Sequence, residues 1–386
     1  MADGFVLEIP EMAGIAPPPL RKPQIAKTPW PKGTVIVSAD SHFMEGDFWV
    51  DHYPPELKAY APRMRFEDGG WRLTINGKDM YPDDKSVALC DQFECAAGFQ
   101  DIAARLADLD AEGVEKELLF PQRVMGLYRG GDIDFREHLF SGYNRGMARV
   151  CAQAPSRLYF VAIPNYWDSS AAQASVAEAK ALGPSALMVP IDGRKDINGD
   201  QIFWNSPKMD PFWEAVSESG LPLCFHIGEN LVGSNLPGGI CLSSLVSMQG
   251  FRNVWGALTF GGVFDRFPKL RVVFVEGGIS WVASMIHDAD MLYNAFDMLA
   301  SPRLKHAPSW YWFNHCYATF MTDPAGLEVL HRIGADRVMW SSDYPHAEGT
   351  LGYTSSTIQA VFDAAPDVES AQKMLGLTAL DVFAMR

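Results

Sequence analysis

The sequence predicts an α/β protein: a (β/α)8 TIM-type barrel with an N-terminal arm and a long insertion after strand one. Short β-branched runs alternate with helical stripes along most of the chain, which is the mark of a parallel sheet with crossover helices. The runs number about eight, enough to close the sheet. Several of them stop at a carboxylate or an imidazole, and the C-terminal strand ends are where a barrel of this kind keeps its chemistry. A length of 386 residues fits one such barrel with insertions. With 48% hydrophobic and 20% charged residues, there is material for a large core.

Residues 1–33 are proline-rich, with Pro17, Pro18, Pro19, Pro23, Pro29 and Pro31, and lack periodicity. They read as an extended arm whose Phe5, Leu7, Ile9 and Trp30 can dock in grooves. The barrel occupies residues 34–386. Thr34-Val35-Ile36-Val37-Ser38 is the first strand, and Ala39-Asp40-Ser41-His42 follows as its polar tip. Alternation along extended backbone puts Asp40 and His42 on one side, with Glu45 three residues on. An insertion spans about 46–100, where Arg72-Leu73-Thr74-Ile75 ahead of Asn76-Gly77 predicts a tight hairpin. Its length marks it as a lid or binding element.

From residue 101 the alternation is regular. Ile102, Leu106 and Leu109 make a helical stripe before a strand at 116–120, whose tip carries Arg123. A helix over 134–153 leads to a third strand at 157–164 and to Asn165. Strand four, 186–189, follows a helix at 169–182; strand five, 221–226, follows one at 210–219 and ends in His226. Strand six runs from Leu270 to Glu276, then Gly277-Gly278; strand seven lies near 317–321. The eighth is the Arg337-Val338-Met339-Trp340-Ser341-Ser342 stretch, running into Asp343-Tyr344-Pro345-His346.

Barrel closure brings these tips over one axial cavity. Asp40, His42, Glu45, His226, Glu276, Asp343 and His346 are therefore candidate metal ligands, and mixed imidazole and carboxylate donors suit zinc, manganese or iron. Arg123 and Asn165 are candidate substrate contacts, the former able to grip a carboxylate with two nitrogens. His287, Asp288 and Asp290 read as an outer helix face. His315, beside Trp310, Tyr311, Trp312 and Phe313, reads as packing or interface.

A net charge of −15 argues against nucleic acid or an anionic membrane as partner, leaving a small-molecule substrate. No run reaches the ~20 apolar residues of a membrane span, and no basic stretch precedes an apolar one at the start, so no signal peptide is expected. The six cysteines (Cys90, Cys95, Cys151, Cys224, Cys241, Cys316) have no CxxC spacing, as in a cytoplasmic protein with reduced thiols. The arm and the aromatic cluster favour an oligomer, with like copies or with a related barrel subunit.

Four stretches together carry a resemblance: Ser38-Ala-Asp-Ser-His42; Met209-Asp-Pro-Phe-Trp213 leading to Leu221-Pro-Leu-Cys-Phe-His226; Phe267 to Glu276; and Ser341-Ser-Asp-Tyr-Pro-His346. In order and spacing the chain resembles the amidohydrolase superfamily, in its amidohydrolase-related (family 2) branch. That branch includes aminocarboxymuconate semialdehyde decarboxylase and γ-resorcylate decarboxylase. The resemblance implies that Asp40 and His42 take the first-strand ligand pair and His226 the fifth-strand position. Asp343 takes the eighth-strand aspartate, which binds metal and handles the proton of the attacking water. The chain departs from the pattern with Asp-x-His for His-x-His, Glu276 for a histidine, and Thr378 for an asparagine. These departures make the donor set rich in carboxylate, which admits zinc or a dinuclear iron or manganese–iron centre, as the resemblance allows.

The leading expectation is a metal-dependent hydrolase acting on a carbonyl of a small organic substrate, with Asp343 and His226 catalytic. Alternatives are non-oxidative decarboxylation of an aromatic or unsaturated acid, oxygen activation at a dinuclear site, and a non-catalytic partner subunit.

Overall fold

A computed structural model of the chain describes residues 23, 29–67, 70–79, 96–128, 133–229, 237–346 and 348–386. Most of the arm, part of the insertion, Cys90 and Cys95 lie outside these residues. Eight strands form one parallel sheet: β1 (Val37–Phe43), β5 (Lys116–Pro121), β6 (Leu158–Ala162), β7 (Ala186–Val189), β8 (Leu223–His226), β9 (Val272–Val275), β10 (Cys316–Phe320) and β11 (Val338–Trp340), neighbours in that order. Between them in the chain, β2 (Arg63–Glu67), β3 (Gly70–Ile75) and β4 (Lys78–Asp79) make a separate antiparallel sheet within the insertion. The β3–β4 turn is Asn76-Gly77, both at positive φ (51° and 71°), as the sequence predicts for such a hairpin.

The barrel strands are short and almost wholly buried. β7, β8, β9 and β11 are buried at every position, which is why they read as continuous apolar runs rather than alternating ones. Helices Ile133–Cys151, Ala172–Ala181 and Asp210–Ser219 lie within a few residues of the predicted spans. Cys224 and Cys316 are buried in β8 and β10, and Trp30 stacks on Phe362 with ring centroids 5.6 Å apart.

Two boundaries differ from the prediction, and both bear on the site. The first strand is Val37–Phe43, not 34–38, so it runs through Asp40 and His42 rather than stopping before them. The eighth ends at Trp340, leaving Asp343 in the following segment. That segment closes the barrel: Asp343 N donates to Asp40 O (3.0 Å), and His42 N donates to Tyr344 O (2.8 Å). Among the described residues no helix is long and apolar enough to cross a membrane.

Candidate metal centre

The first strand carries an irregularity. Ser38 pairs with Glu117 and Ser41 with Leu119, so three steps on β1 oppose two on β5, which is a bulge. Bulging lets Ser38 and Ser41 face the same way, and both meet the Ser342 hydroxyl (2.9 and 3.2 Å). Ser342 N in turn donates to Ser38 Oγ at 2.8 Å. These serines lock the 341–344 segment to β1, and Asp40, His42 and Asp343 come together as a result.

Two overlapping donor groups form, Asp40 with His42, His226 and Glu276, and His42 with Glu276, Asp343 and His346; in each, the ligand atoms lie within 4.8 Å of one another. The first three donors and Asp343 are almost wholly buried, as is Glu276. Glu276 and Asp343 sit at φ 69° and 50°, a region non-glycine residues rarely occupy, at a cost of about 1–3 kcal/mol each. Surrounding structure holds them there. Glu276 N donates to Thr319 Oγ1 at 2.8 Å, and a Cβ on Gly349 would lie 2.6 Å from Asp343 O, so only glycine lets the two backbones meet.

The imidazoles show what the centre is for. His42 Nδ1 is 2.9 Å from Pro121 O, and His226 Nδ1 is 2.6 Å from Ile227 O. A carbonyl only accepts, so both Nδ1 atoms carry the proton. Burial lowers the His42 pKa to about 4, with the neighbouring His346 adding to the effect against the pull of Asp343 and Asp40. Its Nε2 is therefore a bare lone pair. It faces oxygens of Asp343 (3.3 Å), Asp40 (3.8 Å) and Glu276 (3.8 Å). His226 Nε2 likewise faces Asp40 (3.3 Å) and Glu276 (3.1 Å).

Acceptors thus point at acceptors. Asp40 Oδ2, His42 Nε2 and Asp343 Oδ2 are buried without a hydrogen-bond partner among the described residues. Burial pushes the Glu276 carboxyl well above its ordinary range, and the charges of Asp343, Asp40 and Glu348 push the same way. Burial also works against ionised Asp343, but His346 beside it outweighs that and holds the carboxyl well below the usual carboxylate range. Three crowded carboxyls and inward lone pairs, each ring fixed by a second hydrogen bond, fit a divalent cation.

His346 differs from the other two rings. It stacks on His42 with centroids 4.0 Å apart, places Nδ1 3.1 Å from Asp343 Oδ1, and places Nε2 2.8 Å from Gln122 Oε1. Gln122 is a residue that sequence reasoning missed, although it sits next to Arg123 at the same strand tip.

Glu45, expected as a ligand, lies outside both donor groups. Its carboxylate accepts from three consecutive backbone amides, Gln122 (2.8 Å), Arg123 (2.9 Å) and Val124 (3.2 Å). It shapes the loop that presents Gln122 to His346. Asn165, expected as a substrate contact, is engaged elsewhere: it donates to Glu137 Oε2 (2.8 Å) and accepts from Asp168 N (3.0 Å). Arg123 is half-buried beside the Glu45-held loop. Arg105 was missed because it lies on a helix; wholly buried, it pairs with Glu117 on β5 and donates to His42 O at 2.8 Å. His315 donates to Leu270 O (2.8 Å) and belongs to the packing, while Asp288 pairs with Arg252 on the outer surface.

Comparisons with known proteins agree with this architecture. The amidohydrolase family model matches residues 95–385. A 2-amino-3-carboxymuconate-6-semialdehyde decarboxylase from Dictyostelium discoideum is 24% identical over 249 residues, covering 64% of this chain and 67% of its own. An amidohydrolase structure from Mycobacterium avium subsp. paratuberculosis K-10 superposes with a TM-score of 0.75 at 19% identity, covering 92% of this chain and 100% of that one. A 5-carboxyvanillate decarboxylase from Novosphingobium aromaticivorans DSM 12444, solved with bound manganese and 3-methoxy-4-hydroxy-5-nitrobenzoic acid, gives 0.68 at 18% identity, covering 93% and 99%. The chain belongs to the amidohydrolase family and is an enzyme of that superfamily.

Proposed function

We propose that this member of the amidohydrolase family is a metal-dependent decarboxylase that releases carbon dioxide from a small aromatic or unsaturated carboxylic acid without net oxidation. The observation that carries this reading is the set of buried, inward-facing donors (Asp40, His42, His226, Glu276 and Asp343) at the C-terminal end of the barrel, among which Asp40 Oδ2, His42 Nε2 and Asp343 Oδ2 lack any hydrogen-bond partner among the described residues. The decarboxylases among the relatives rank carbon–carbon cleavage ahead of the hydrolysis expected from sequence.

Asp40, His42, His226 and Asp343 would hold the ion, with Glu276 completing the set. A divalent ion bound there supplies Lewis-acid polarisation of the substrate's oxygens. Asp343, ionised at rest, takes a proton from His346 and passes it to the carbon bearing the carboxyl group, and the electron pair of the breaking bond stays on that carbon as carbon dioxide leaves. His346, close to Asp343 Oδ1 and less buried than it, returns the proton from outside. In this role its ring is doubly protonated, donating to Asp343 and to Gln122.

The second donor group favours one other reading. If His346 is neutral, the Gln122 contact leaves the proton on Nε2 and bares Nδ1, so that His346 would join Asp343 and Glu276 as donors for a second ion while the single His42 lone pair would serve one ion. Three carboxylates against one divalent ion leave a net negative site, whereas two ions leave a positive one. A two-ion centre suits hydrolysis, with Asp343 taking the proton of the attacking water, or oxygen activation if the metals are iron or manganese and iron.

Metal content and product analysis separate these. The protein is purified without added metal, its metal per chain is measured, and a panel of hydroxylated benzoic and muconic acids is followed by carbon dioxide release. The decarboxylase reading expects about one divalent ion per chain and one carbon dioxide per acid consumed, unaffected by removing oxygen. Two ions per chain with oxygen uptake, or with thioester or amide cleavage and no carbon dioxide, would overturn it in favour of the two-ion centre.

A further inference from the structure

Glu45 and Glu229 occupy matching positions. Each is a buried carboxyl three residues beyond a donor histidine, His42 and His226 respectively. Each accepts backbone amides from a neighbouring strand's loop. Glu45 commits both oxygens in this way. Glu229 commits only Oε1, which accepts from Asp192 N at 3.1 Å. Its Oε2 makes no hydrogen bond among the described residues, although the residue is only 1% exposed.

Two further groups share that neighbourhood and that condition. The Tyr128 and Tyr166 hydroxyls are wholly buried and unbonded among the described residues, their rings stand 6.1 Å apart, and both lie within electrostatic reach of Glu229. Tyr128 ends the turn after β5, Tyr166 follows β6, and Glu229 follows β8. All three therefore belong to the end of the barrel that holds the metal donors. Burying polar atoms without partners is unfavourable, and buried groups of this kind are normally paired. The loop is already held by Oε1, so holding it does not account for Oε2.

We propose that Glu229, Tyr128 and Tyr166 line a recognition recess beside the metal centre that receives an uncharged hydroxyl of the acid substrate. They are specificity-determining residues, and the idea rests on the small-acid reading above. Burial pushes the Glu229 carboxyl up to about 8 and both phenols above their ordinary range, so at neutral pH the recess is uncharged. It then both donates and accepts toward a hydroxyl and gives no counter-charge to an ammonium. Of the cations nearby, Arg194 pairs with Asp192 (3.6 Å), and Arg136 donates through one terminal nitrogen to Lys195 O (3.1 Å) while its buried Nε has no hydrogen-bond partner among the described residues.

Calorimetric binding to the metal-reconstituted protein at pH 7 tests this, using 3- and 4-hydroxybenzoate, the matching methylbenzoates and 3-(aminomethyl)benzoate. A hydroxyl acid is expected to bind about tenfold tighter than its methyl counterpart and than the cation, the worth of one or two buried hydrogen bonds. Tyr128→Phe with Tyr166→Phe should bring that ratio to about one without lowering the melting temperature, because the deleted hydroxyls bond nothing in the fold. Glu229→Gln, also uncharged, should keep most of the preference. No hydroxyl preference in the native protein, or one that survives the double Phe variant, overturns the proposal. Carbon dioxide release is assayed separately on the same proteins. Discrimination without turnover would sink the decarboxylase reading and leave the recess standing; turnover without discrimination would do the reverse.

Discussion

Replacing Glu45 by alanine separates a ligand from a scaffold. The sequence places this residue among the metal donors, whereas its carboxylate caps the amides of Gln122, Arg123 and Val124 at 2.8, 2.9 and 3.2 Å. Truncation strips partners from three amides at once. Leaving a buried donor unsatisfied costs about 1–3 kcal/mol, and some water will enter the space. Burial already raises the Glu45 pKa despite those bonds, so part of their gain is offset in the native protein. The net loss for Glu45→Ala is on the order of 4 kcal/mol, and it should be present in the metal-free protein. Urea unfolding of native and variant chains after chelation measures it, with metal titration run alongside. A ligand role predicts the opposite pattern: metal-free stability within about 1 kcal/mol of native, or higher as carboxylate crowding is relieved, with metal affinity collapsing. That pattern would refute the scaffold assignment.

Other consequences concern the centre and its supports. Asp343→Asn removes the group that moves the proton, and kcat should fall by about 10²–10⁴-fold in a carbon dioxide release assay; a variant retaining more than a tenth of native kcat would exclude Asp343 from proton transfer. Arg105→Leu leaves the wholly buried Glu117 without its partner and should cost about 3–5 kcal/mol, whereas adding Glu117→Leu should recover most of it in a double-mutant cycle. Additive losses would show that the pair is not coupled. For Glu229 the folded pKa of about 8 lies above the ordinary 4.5. The native state therefore keeps a proton that the unfolded chain has released between those pH values, and stability declines as pH rises through that window. Glu229→Gln should flatten this decline, gaining on the order of 4 kcal/mol relative to native at pH 9 compared with pH 4.5; parallel stability–pH curves would contradict the shift.

The barrel was legible because its signal is local. Ala186–Val189 and Asp210–Ser219 are bounded in the structure as the sequence reads them, since an apolar run and a helical stripe each depend on near neighbours alone. The hairpin at Asn76-Gly77 was equally plain, because two positive-φ residues are a chemical requirement of the turn. Boundaries slipped where long-range contacts decide them. Strand β1 reaches Phe43 because β5 and the 341–344 segment supply hydrogen bonds past Ser38, and no local propensity encodes partners hundreds of residues away.

The same division holds in the site. Residue type and strand-end position were enough to nominate Asp40, His42, His226, Glu276, Asp343 and His346, because a parallel barrel carries every strand's C-terminal end to one mouth. Only the tertiary structure decided where each polar atom points. It turned Glu45 onto three amides and Asn165 onto Glu137, and brought Gln122, Arg105 and Glu229 into play from positions with no motif of their own. The physical reason is that backbone periodicity sets which face a side chain leaves from, while burial forces its polar atoms to take whichever partners the fold places within hydrogen-bond reach.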